Sequence, residues 1–111
     1  MINKIIVWNQ KELDRCANEG NVAIIYWSGA VLRGNTSAEL WGDATAVLKD
    51  SSTAVFNDNS RGELWDNSSG LFKDNSTGKI GGNASARFYD DAKNWSFIVD
   101  DENWVNDEND V

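Results

Sequence analysis

The sequence predicts an all-β fold: a single-stranded β-solenoid, or β-helix, of eight octapeptide repeats with an N-terminal strand–helix–strand cap. Three observations predict it. First, residues 30–93 divide without insertion into AVLRGNTS, AELWGDAT, AVLKDSST, AVFNDNSR, GELWDNSS, GLFKDNST, GKIGGNAS and ARFYDDAK. Each octad has Ala or Gly at position one, Leu, Ile or Phe at three, Gly or Asp at five, and Ala, Ser or Thr at seven. Second, proline is absent while Asn, Asp, Ser and Gly are abundant, so turns must be made by Asn, Asp and Gly chemistry. Third, 41% hydrophobic and 25% charged residues suit a globular chain, and 111 residues suffice for one domain with a modest core.

The elements follow in order. Lys4–Trp8 (KIIVW) reads as a strand. Asn9 is a good helix N-cap, and Glu12 three residues later completes a capping box. Trp8 before the cap and Leu13 are placed for a hydrophobic staple, and Leu13, Cys16 and Ala17 share one helical face. Gly20 is a natural stop, and Val22–Trp27 reads as a buried strand. Residues 1–29 thus form an αβ cap, which a solenoid needs because its open end exposes core and unpaired backbone.

Within the repeats, positions seven, one and three alternate along an extended chain and share its inner face. Positions five and six, Gly or Asp followed by Asn, Asp or Ser, tolerate turn conformations. Each octad is therefore a short strand ending in a corner. One octad cannot bury its face alone, but a stack can. Two arrangements remain open. Three octads per coil, a triangle, is favoured because that spacing aligns Trp41, Trp65 and Tyr89, and Glu39 with Glu63. Two octads per coil is the alternative, and interior volume favours it, since a triangle lined by Ala and Leu leaves its centre underfilled. The flanks fit more loosely, as VAIIYWSG (22–29) and NWSFIVDD (94–101). Residues 94–111 read as a terminal strand over 94–99 and an acidic tail, all within one domain.

Catalysis is hard to build from these residues. Without histidine there is no histidine-based triad or proton shuttle. Cys16 lies on the expected buried helix face, and the repeat Asp residues sit at turn positions. No phosphate loop and no Cys/His metal spacing occurs, so no enzyme activity, cofactor or metal is expected. Columns such as Asp50/Asp74 and Asp66/Asp90 could hold a cation, against the alternative of solvated turn carboxylates. A regular outward Thr array, as ice binding requires, is missing.

What remains is binding. The candidate site comprises the outward column Trp41, Trp65 and Tyr89 with Glu39 and Glu63, and the tail residues Asp100, Asp101, Glu102 and Trp104. The net charge of −8 is concentrated at one end. Residues 1–89 carry ten acidic and nine basic side chains, whereas residues 90–111 carry eight acidic residues and one lysine. Such a chain repels phosphate, so no direct nucleic-acid contact is expected; a basic protein is the expected partner. A single cysteine excludes an internal disulfide, and no apolar run reaches membrane-spanning length or shows a signal-peptide layout. The expected location is the cytoplasm, without membrane contact.

AELWGDAT and GELWDNSS carry a resemblance, over residues 30–93, to the octapeptide-repeat β-solenoid proteins of gut bacteria and their phages. The resemblance implies a β-helix and little about function. Small size, acidity and the lack of catalytic groups lead to an expected role as a protein-binding inhibitor. It would come from a phage or mobile element and act on a nucleic-acid-binding host complex, in the manner of an anti-CRISPR protein or DNA mimic. The alternatives are a structural spacer or self-associating rod, which allows a homo-oligomer, and a weak carbohydrate-binding β-helix using Trp41 and Trp65.

Overall fold

The computed structural model describes residues 3–94. It is a parallel β-solenoid of about six turns with a 16-residue period. The chain runs β1 (Lys4–Val7), α1 (Gln10–Asn18), β2 (Val22–Ile25), β3 (Ala30–Leu32), β4 (Ser37–Leu40), β5 (Thr45–Leu48), β6 (Thr53–Phe56), β7 (Arg61–Leu64), β8 (Ser69–Phe72), β9 (Thr77–Ile80), β10 (Ser85–Phe88) and β11 (Lys93–Asn94). One sheet has the order β1-β2-β4-β6-β8-β10 and the other β11-β9-β7-β5-β3. Every pairing is parallel, and from β3 onward each strand faces the strand two octads later, as in Val47↔Glu63 and Phe56↔Phe72.

Each octad supplies one strand and one corner. Positions one, three and seven point inward, as the alternation requires: Ala30, Ala38, Ala46 and Ala54, then Leu32, Leu40, Leu48, Phe56, Leu64 and Phe72, then Ser52, Ser60, Ser68 and Ser76, are all buried. Position five takes the left-handed conformation in all eight octads, with φ between 57° and 63° at Gly34, Gly42, Asp50, Asp58, Asp66, Asp74, Gly82 and Asp90. That conformation explains the Gly/Asp restriction, because among residues with a side chain Asp and Asn tolerate it best. At position seven, Ser52, Ser68 and Ser76 each donate to the carbonyl three residues back at 2.7 Å, closing the corner from inside.

The expected triangle of three octads is not formed; two octads make a coil. The reason lies in the interior. Phe56, Phe72 and Phe88 stack on successive rungs, with centroids 4.4 and 4.8 Å apart and planes within 10°. Opposite them sit glycines of the other sheet. A Cβ at Gly78 would come within 2.5 Å of the Phe72 ring, and one at Gly62 would fall inside the Phe56 ring's envelope. Between two flat sheets, each large side chain meets a small one directly opposite, so no central space is left to fill. The flanking segment 22–29 also departs from the octad frame. The register of β2 on β4 is one position short of two full octads, so Ala23 and Ile25 point inward rather than Ile24.

The N-terminal cap forms as expected, with differences in detail. Asn9 Oδ1 accepts from the Glu12 N–H at 2.9 Å, and Gly20 ends the helix region at φ 76°. Glu12 Oε1 accepts from the N–H of Trp8, one residue before the cap, at 2.8 Å. Leu13 and Cys16 are buried, but Trp8 is 63% exposed, so the Trp8–Leu13 staple does not bury its ring. Gln10 closes the free edge of β3. Its side-chain amide accepts from Val31 N–H at 2.9 Å and donates to Val31 C=O at 2.8 Å, standing in for a neighbouring strand. Of the expected terminal strand over 94–99, only Asn94 lies within the described residues.

Candidate interaction surfaces

The residue that follows each strand lies at an edge of the solenoid, and the period decides which edge. The register along the first sheet places Trp8, Tyr26, Trp41, Asn57, Lys73 and Tyr89 on successive rungs of one edge. The opposite edge carries Arg33, Lys49, Trp65 and Gly81. Trp41 and Tyr89 therefore share an edge, separated by Asn57 and Lys73, while Trp65 is across the molecule. The column of Trp41, Trp65 and Tyr89 does not form, because three octads span one and a half coils. The structure instead brings together Trp8, Tyr26 and Trp41, with Trp8 and Tyr26 (51% exposed) the most open.

The two glutamates are likewise on opposite faces. Glu39, on the outer face of the first sheet, pairs with Lys4 Nζ at 2.8 Å. Glu63, on the outer face of the second, accepts from Trp65 Nε1 at 3.3 Å. The Trp65 ring lies over Gly81, where a Cβ would collide with it, and Lys79 Nζ stands 5.5 Å from its centroid. The outer face of the second sheet also carries a shallow depression of about 870 Å³ over Val31, Val47, Arg61, Glu63, Thr77 and Lys79.

The corner aspartates are engaged with backbone. The N–H groups of Gly34 and Asp50 donate to the carboxylates of Asp50 and Asp66, and those of Gly42, Asp58 and Asp74 to Asp58, Asp74 and Asp90, at 2.9–3.3 Å. Each carboxylate thus ties its corner to the preceding one. Stacked corners are two octads apart, so Asp50/Asp74 and Asp66/Asp90, three octads apart, are not columns. Among the described residues no cluster of three or more His, Cys, Asp or Glu side chains could hold a metal. Cys16 is on the buried face of α1, and burial, with the Glu19 charge as a lesser cause, pushes its thiol pKa up. No helix among the described residues is long and apolar enough to cross a membrane. Asp100, Asp101, Glu102 and Trp104 lie outside the described residues.

Comparison with protein-family models, curated proteins and solved structures returned no match. The surface itself is thus the basis for a functional reading.

Proposed function

We propose that this chain is a non-enzymatic protein-binding β-solenoid. The observation that carries the reading is the edge where Trp8, Tyr26 and Trp41 fall on three consecutive rungs of a hydrogen-bonded framework. Trp8 and Tyr26 are exposed and Trp41 is half-buried beside them; aromatic rings held so on a rigid scaffold are effective interface anchors, because little order is lost when a partner covers them. The use of the carboxylates supports binding over catalysis, since five of the corner aspartates are committed to backbone N–H groups.

The partner class follows from charge. Residues 90–111 carry a net charge of −7, eight acidic residues against one lysine, which complements a basic protein surface and steers its approach. A nucleic-acid-binding host complex has such a surface, and inhibition of one by a phage or mobile-element protein is the specific form of this reading. The test is crosslinking of the tagged full chain to find a partner, followed by affinity measurements. Replacing Tyr26 and Trp41 together with Ala lowers affinity by roughly a hundredfold at unchanged circular dichroism, about 2.7 kcal/mol for two anchors. Removing residues 100–111 slows association and flattens its salt dependence. Full affinity in both variants contradicts the reading.

A further inference from the structure

The end strand β1 has one edge hydrogen-bonded to β2 and the other without a strand partner among the described residues. The Asn3 carbonyl accepts from Val22 N–H, so Asn3, Ile5 and Val7 present their backbone groups to β2, and Lys4 and Ile6 present theirs outward. Edge strands are ordinarily blunted by proline, a bulge or an exposed charge. This strand has neither proline nor bulge, and its single charge is Lys4, whose side chain is 60% exposed but whose ammonium is drawn away from the edge by Glu39 on the outer face of β4. Ile5 and Ile6 are 37% and 47% exposed.

We propose that two copies of this chain pair antiparallel along β1, about a two-fold axis at Ile6, to join their first sheets into one. The strand is self-complementary in that arrangement. On the outer face Ile6 meets the second copy's Ile6, and the aliphatic stem of Lys4, its ammonium held by Glu39, lies beside the second copy's Trp8. On the inner face the partly exposed Ile5 gains cover from the second copy, whereas Val7 is already buried in its own chain. Ile6 exchanges both backbone hydrogen bonds with its counterpart, and Lys4 N–H donates to the second copy's Trp8 carbonyl. The Trp8 N–H is already held by Glu12, which ends the pairing there. The adjoining helix α1 raises no like-charge barrier, since Lys11 and Arg15 balance Glu12 and Asp14. Trp8 belongs to both surfaces, but Ile6 belongs to the paired strand alone and Tyr26 and Trp41 lie outside it, so dimerisation and binding of a heterologous partner can fail separately.

The experiment is light scattering on the full chain across a wide concentration range, with amide exchange at Ile6 at its two ends. The expected mass rises from 12.3 kDa to twice that value. Ile6→Lys sets like charges face to face at the axis and weakens the dimer roughly tenfold or more, with unchanged circular dichroism. In the native chain the Ile6 amide exchanges more slowly when concentrated than when dilute, a readout that does not depend on the variant folding. A constant monomer mass, an undiminished dimer in Ile6→Lys, or Ile6 exchange independent of concentration overturns the proposal.

Discussion

At the scale of single residues, the interior is set by pairs six positions apart in sequence. Phe56 faces Gly62, Phe72 faces Gly78, and the equivalent earlier positions hold Leu40 with Ala46 and Leu48 with Ala54. Gly62→Ala therefore overpacks the core and lowers unfolding free energy by about 1–3 kcal/mol. Phe56→Leu in the same chain relieves the clash, and a double-mutant cycle in urea shows the two changes coupled by about 1 kcal/mol or more. The buried serines make a second contrast. Ser68 Oγ donates to Trp65 C=O, whereas Ser60 Oγ, equally buried, has no partner. Ser68→Ala is expected to destabilise by about 1 kcal/mol, and Ser60→Ala to be neutral or stabilising, because an unpaired buried hydroxyl is itself unfavourable. Equal losses at both sites in thermal unfolding would contradict this account of the corner.

At the scale of elements, much was legible in advance. The alternation of positions seven, one and three specified a strand in every octad, and Gly or Asp at five marked the corner, to which the structure adds the left-handed conformation. Asn9 and Gly20 marked the limits of the helix. The coil period was not legible from those rules, because every octad repeats the same inward positions. The outward likeness at a three-octad spacing, Trp41 with Trp65, pointed to a triangle that packing does not support. A usable signal was present in the glycines that follow Phe56 and Phe72 by six positions, because two closely opposed sheets need a small residue across from each ring. Trp8 and Tyr26 were missed as surface residues because they lie outside the octads, where the frame shifts by one. Gln10 could not have been foreseen as a strand substitute, because its role depends on where α1 crosses the end of the coil. Gln10→Ala leaves both backbone groups of Val31 without their partner. It should lower stability by about 1–3 kcal/mol and speed amide exchange at Val31, an effect that Lys11→Ala, lacking such contacts, does not share.

At the scale of the whole molecule, a two-sided coil gives the protein two flat faces and two edges, and that geometry distributes its surface chemistry. The aromatic edge adjoins the unpaired side of β1 at Trp8, and the Glu63–Trp65–Lys79 group lies across the molecule from both. All of this depends on the period. Spin labels on cysteines at positions 47 and 63, with the native Cys16 replaced by Ala, report it directly. In the two-octad coil these positions are on adjacent strands, about 5 Å apart, whereas 47 and 71 are on opposite outer faces. Strong dipolar broadening for the 47/63 pair and none for 47/71 is the predicted result; broadening for 47/71 in place of 47/63 would contradict the two-sheet solenoid.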